Sequence, residues 1–180
     1  MRCLLATLAT ASLFVAGCQS TAPTIHPDPV SEVDAGMLGA LSKLAGEWEM
    51  QDENGARILA AQFTVTSGGT AVREIMFPGQ PHEMTNLYHM DGDVLVCTHY
   101  CAAGNQPRMI AAHAEKSDEG TVFAFEFDSV SNLRESHDHY MGTMTLTILE
   151  NGQLREDWRS FDQAGNLTPP ATFQLQRRGG

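Results

Sequence analysis

The chain lacks most of the features that announce a function. Positive charge is scarce: 180 residues carry 11 lysines and arginines against 22 acidic residues, a formal charge of −11. An acidic surface repels phosphate backbones, which excludes sequence-independent nucleic-acid binding and electrostatic docking onto anionic lipid. No P-loop or Rossmann glycine pattern occurs, and neither a βαβ rhythm nor an internal repeat is evident, so the common nucleotide-binding and solenoid architectures drop out. There is no Gly-x-Ser-x-Gly elbow, which removes the hydrolase built on it. Paired carboxylates such as Glu126 and Asp128 lack any flanking sign of a cleft. No catalytic motif is found, and the reading leans away from an enzyme. Long apolar runs are also missing. The uncharged stretch from Leu4 to Val15 is shorter than the roughly twenty residues a bilayer requires.

That stretch instead follows Arg2 and ends in Val15-Ala16-Gly17-Cys18. A basic start, an apolar core and small residues at a cleavage point make a secretory signal. The small pair before cysteine resembles the lipobox of bacterial lipoproteins. The resemblance implies a signal peptide over residues 1–17 and Cys18 as the lipidated N-terminus, attached to the membrane by its acyl chains. Gln19 stands where an inner-membrane retention signal places Asp, which implies the outer membrane, with the domain facing the periplasm. Residues 18–31, rich in Pro, Ser and Thr, read as a lipidated flexible tether. Cleavage removes Arg2 and no acidic residue, so the mature chain is more acidic still.

Cysteine is scarce as well: of four, only Cys97 and Cys101 remain as thiols once Cys3 is removed and Cys18 acylated. On a straight strand they sit roughly 13 Å apart, too far for a disulfide. Two free, partly buried thiols are expected.

The barrel domain is expected over residues 32–178. Val33, Met37, Leu38, Leu41 and Leu44 recur at helical spacing and predict a helix over 32–44, with Ser31 as cap and Gly46 as stop. Beyond it, alternating runs predict strands over 47–51, 57–66, 70–77, 83–90, 94–101, 108–115, 121–128, 139–150, 153–161 and 171–176. Between them lie turn signals such as Asp91-Gly92-Asp93 and Asn151-Gly152, which favour hairpins with type I′ turns. About ten strands joined by short links form a meander, which protects its edges best by closing. The expected fold is all-β, an antiparallel up-and-down β-barrel of about ten strands with one N-terminal α-helix. A barrel of that width suggests a ligand cavity.

Leu44-Ala45-Gly46-Glu47-Trp48-Glu49, placed between a helix and a meander, resembles the start of lipocalin-like and other calycin barrels. There a Gly-x-Trp opens the first strand and its Trp plugs the closed end. The phrases Thr66-Ser67-Gly68-Gly69, Phe77-Pro78-Gly79, Pro81-His82-Glu83-Met84, Tyr88-His89-Met90-Asp91-Gly92-Asp93 and Thr98-His99-Tyr100-Cys101 resemble a group of bacterial lipocalin-like proteins of the DUF1579 type. Gly104-Asn105-Gln106-Pro107-Arg108-Met109 continues the likeness. It brings no established activity. Haem barrels of the nitrobindin type carry Gly-x-Trp-x-Gly-x-Gly, whereas Met50 and Asp52 replace both later glycines here.

Candidate binding residues follow from side-chain chemistry. Imidazole both donates and accepts near neutral pH, so histidines inside a cavity can orient a polar ligand group. His82 and His99 are expected to face inward, His113 and His137 outward, with His89 open. His82, Tyr88, His99 and Tyr100 are the candidate polar contacts, joined by Asn105, Gln106 and Arg108 around a long turn. Cys97, His99 and Cys101 alternate onto one strand face, and His137 and His139 repeat the spacing. Thiolate and imidazole suit zinc or copper(I), which makes these five weak metal candidates. The cofactor is otherwise unspecified, metal and haem both remaining open. In the segment Leu154-Arg155-Glu156-Asp157-Trp158-Arg159, the alternating charges Arg155, Asp157 and Arg159 read as a solvent-facing ion-pair ladder. The functional expectation is a lipid-anchored barrel holding a small apolar or amphipathic ligand. The alternatives are a metal- or haem-binding barrel and a non-catalytic envelope protein that recognises another protein.

Overall fold

The computed structural model describes residues 36–134 and 139–179. The signal peptide, Cys18, the tether, the cap Ser31 and His137 lie outside them. One helix, α1 (Met37–Ser42), precedes eleven strands: β1 (Gly46–Gln51), β2 (Arg57–Thr66), β3 (Ala71–Met76), β4 (Met84–Asp91), β5 (Val94–Tyr100), β6 (Gln106–Ala111), β7 (Ala114–Ser117), β8 (Gly120–Ser131), β9 (Tyr140–Leu149), β10 (Leu154–Phe161) and β11 (Ala171–Arg177). β1 to β6 and β8 to β11 pair antiparallel in chain order. β11 returns to β1, and β6 pairs with β8, which closes ten strands into a barrel. The expected all-β barrel with one helix is therefore the fold.

The eleventh strand arises where the expected strand over 108–115 breaks. β6 runs along β8 as far as Ile110↔Glu126, and pairing resumes one residue out of step at Ala114↔Phe123 in β7. Such a slip is a bulge, and it lets β7 leave the wall with all four residues exposed.

Alternation fills the barrel. Phe63, Val72, Met76, Leu95, Met109, Phe123, Phe125, Met144, Leu146, Leu154 and Leu175 are buried together. Side chains also meet across the lumen, with ring centroids of Tyr88 and Phe125 5.9 Å apart and those of His99 and Trp158 4.9 Å apart. Outside, Arg155 pairs with Glu119 at 2.9 Å and Asp157 at 3.2 Å, as the alternating charges implied.

Helix α1 packs over one end, burying Leu38 and Leu41, with Leu44 just beyond. It stops at Ser42 rather than at the expected Leu44, because Lys43 caps it and Trp48 Nε1 takes the free Leu44 carbonyl at 2.8 Å. The Arg177 guanidinium lies over the Trp48 ring, 4.8 Å from its centroid, and donates to the carbonyls of Lys43 and Ala45. The last strand is thus bolted to the helix and the first strand. The other end carries the loops 77–83, 101–105 and 162–170.

The Asn151-Gly152 turn is not the expected type I′. Gly152 has φ +80 while Asn151 is not left-handed. Leu149 N donates to Gln153 O, and Gly152 N to Leu149 O, both at 2.9 Å. This is a three-residue loop closed by one left-handed glycine. Asn151 contributes through its side chain instead, its Oδ1 accepting from Gln153 N at 3.0 Å.

Candidate functional site

Three neighbouring strands place three polar residues side by side on the inner face. Glu74 on β3 stands directly opposite Asn86 on β4, which stands opposite His99 on β5. One step along, Tyr88 stands opposite Cys97. The two-residue period of a strand then turns all five side chains inward. Glu156 and Trp158 enter from β10, across the lumen. Glu74, Asn86, Tyr88, Cys97 and Glu156 are fully buried, and His99 is 1% exposed.

The hydrogen bonds fix the protonation pattern. Glu74 Oε2 accepts from Asn86 Nδ2 and from the Tyr88 hydroxyl, each at 2.7 Å. With its amide committed as donor, Asn86 offers Oδ1 to His99 Nδ1, 2.7 Å away. An oxygen there must accept, so Nδ1 carries the proton and His99 Nε2 presents a bare lone pair. On the facing wall, Trp158 Nε1 donates to Glu156 Oε2 at 3.0 Å. The Trp158 ring packs on the His99 ring. Glu156 and Glu74 lie close enough to influence each other's protonation, which draws Glu74, Asn86, His99, Trp158 and Glu156 into one cluster.

Burial dominates the electrostatics. Desolvation raises the Glu74 carboxyl above its usual range, against the hydrogen bonds from Asn86 and Tyr88 that favour its charge. Glu156 is pushed up further, first by burial and then by the neighbouring charge of Glu74. Two carboxyls this close cannot both ionise cheaply, so burial and mutual repulsion both favour the protonated form of the pair. Burial lowers His99 to about 4, which keeps the imidazole neutral. The Cys97 thiol and the Tyr88 phenol are raised well above their usual values, by burial and then by Glu74.

Three atoms in this cluster have no hydrogen-bond partner: His99 Nε2, Glu74 Oε1 and Glu156 Oε1. A buried polar atom without a partner costs about 1–3 kcal/mol, and such groups are few in native folds. No described lysine or arginine supplies the missing donors, because all are exposed or half-buried on the outside. Towards the loop-bearing end the next inward side chains are Met76, Met84 and Cys101, the last two partly exposed. The surface clefts lie elsewhere. One of about 400 Å³ is lined by Glu49, Gln174 and Gln176, and one of about 350 Å³ by Ile110, Ala112 and Glu126.

Of the residues singled out from sequence, Tyr88 and His99 meet in this cluster. Asn105 is buried nearer the loop-bearing end, its amide donating to the His139 carbonyl at 2.8 Å. Gln106 bonds within its own turn and to Ser131. Arg108 lies on the outer wall, paired with Asp91 at 2.9 Å and Asp128 at 2.6 Å, and Tyr100 is 45% exposed. His82 was expected to face inward but is exposed, because it belongs to the β3–β4 loop, where its ring rests on Phe77. Cys97 and Cys101 are both free thiols, as the strand spacing implied. Among the described residues no three His, Cys, Asp or Glu side chains gather closely enough to hold a metal ion, and His139 is exposed. Glu74, Asn86, Glu156 and Trp158 were missed. Their signal was present for Glu156: if Arg155, Asp157 and Arg159 face solvent, Leu154, Glu156 and Trp158 must face inward.

Neither the family models nor the curated proteins compared with this chain match it.

Proposed function

We propose that the protein is a lipid-anchored envelope barrel, of the lipocalin-like kind its sequence resembles, that holds a small amphipathic molecule inside. The observation that carries this reading is the set of desolvated acceptors within a closed barrel. A fold that buries His99 Nε2 and one oxygen of each of two carboxyls without donors bears a cost that a bound ligand would relieve. The flexible side chains of Met76, Met84, Met109 and Met144 supply an apolar lining that repacks around a guest. The acyl chain on Cys18 would hold the domain at the outer membrane, facing the periplasm. Native mass spectrometry of the protein purified from cells tests the binding claim, with a retained organic mass expected. A bare mass, and no shift on incubation with a membrane extract, contradicts it. Cys18→Ser tests the anchor: the variant should leave the membrane fraction, and one that stays there refutes lipidation.

A further inference from the structure

Two of the chain's 11 cationic side chains are lysines, Lys43 and Lys116. Both line one cleft of about 360 Å³ at the helix-covered end of the barrel, together with Arg177. Elsewhere Arg57, Arg108, Arg155 and Arg178 each pair with an aspartate or glutamate. Here Lys116 donates to the Thr121 hydroxyl at 2.7 Å, and Arg177 to the Lys43 and Ala45 carbonyls. Among the described residues no carboxylate lines this cleft or pairs with any of the three cations. The fold explains the opening. α1 packs onto β2, β3 and β4, which leaves the rim of β7, β8 and β9 uncovered at the same end. On the inward face of that rim Thr121 stands opposite Ile148, two residues beyond the buried pair Phe123 and Leu146. β7, having left the wall, carries Lys116 opposite Thr121. Leu44, Trp48 and Ile148 make the rest of the lining mostly apolar. A second cleft of about 510 Å³ shares Ala40, Lys116 and Thr121 with the first. It continues past Met37, Ala112 and Ala114, with Asp93 and His113 also on its wall. The two form one groove, cationic at one end and largely apolar along the other.

We propose that this groove binds a single-chain amphiphile with an anionic head. The head lies among Lys43, Lys116 and Arg177, and the chain runs along Met37 and Ala40. The site is apart from the interior cluster and stands whether or not that cluster holds a guest. In a chain of formal charge −11, a cleft lined by cations without carboxylates is a local reversal of sign, and it draws an anion to one place. Ammonium and guanidinium groups only donate, which suits the oxygens of a carboxylate or phosphate. Arg177 keeps N–H groups free beyond its two bonds to carbonyls. Exposed charges attract only weakly through water, so charge alone holds a small anion poorly. The apolar lining supplies what is missing, because a hydrocarbon chain laid against it leaves water. The combination of both linings in one groove therefore selects an amphiphile over a bare inorganic anion.

The experiment is a calorimetric titration of the whole protein at pH 7 and low salt with decanoate, decyltrimethylammonium and acetate. It is paired with ¹³C NMR of the two lysines after reductive methylation, which keeps their charge. Decanoate should bind at least about tenfold more tightly than either other probe, and should shift both lysine signals. Lys43→Gln combined with Lys116→Gln changes two exposed side chains, leaves the core as it is and should weaken decanoate at least about tenfold. If decyltrimethylammonium binds as well as decanoate, the anionic assignment is overturned. If decanoate binds without moving the lysine signals, or binds the double variant equally well, its site lies elsewhere and the groove is overturned. If acetate matches decanoate, the groove reads charge alone and the amphiphile is overturned. Absence of decanoate binding overturns the proposal outright and leaves the interior-ligand reading untouched.

Discussion

A histidine kept neutral by burial costs the fold stability once acid forces a proton onto it. The folded value for His99, about 4, lies below the ordinary imidazole value. Its contribution is therefore complete above about pH 6.5 and falls away as pH drops towards 4, a loss of about 3 kcal/mol. The stability difference between the natural protein and His99→Gln, read from urea unfolding, should shrink by that amount from pH 7 to pH 4. A constant difference would mean that His99 titrates normally. Glu156 works in the opposite direction. Its folded value is raised, so its contribution is complete below the free glutamate value and is lost as pH rises through the folded value. Gln resembles the protonated acid, so Glu156→Gln should gain on the natural protein between pH 5 and pH 8. A gain on acidification instead would reverse the assignment.

At the scale of strands and turns, Gly120 and Gly152 separate two reasons for glycine. A Cβ at Gly120, where β8 begins, would stand 2.0 Å from the Ile148 carbonyl oxygen, whereas one at Gly152 meets nothing. Ala at Gly152 should cost about 1 kcal/mol, the cost of a left-handed conformation. Ala at Gly120 should cost about 3 kcal/mol or more, because backbone must move. Equal thermal shifts for the two variants would show that the β8–β9 contact is softer than its geometry. This contrast also marks the limit of sequence reading. Strand positions were legible because period-2 alternation and the glycine turns are local, and β2 runs from Arg57 to Thr66 as expected. The break between β6 and β7 was not, because it depends on how the barrel closes onto β8. The type of the Asn151-Gly152 turn was misjudged because Asn151 is held by its own side-chain bond to Gln153, which the dipeptide does not announce.

For the whole molecule, the barrel brings together residues that are far apart in sequence. Glu74 and Glu156 influence each other's protonation only because the closed barrel brings β3 and β10 to face each other. His99 was legible as an inward histidine from its alternation with Cys97, but its relay through Asn86 depends on cross-strand register, and one slipped residue would scatter the cluster. Tyr100 and Arg108 drew attention by chemistry alone, and their strand parity sends them outward. The central claim is that the closed barrel buries a hydrogen-bonded polar cluster in which His99 Nε2 is left without a donor. The most direct test is the histidine ¹⁵N NMR spectrum of the protein followed from pH 8 to pH 4. The expected result is one imidazole with hydrogen on Nδ1 and none on Nε2, unchanged until near pH 4. A His99 signal with hydrogen on Nε2, or titrating near pH 6.5, would contradict it.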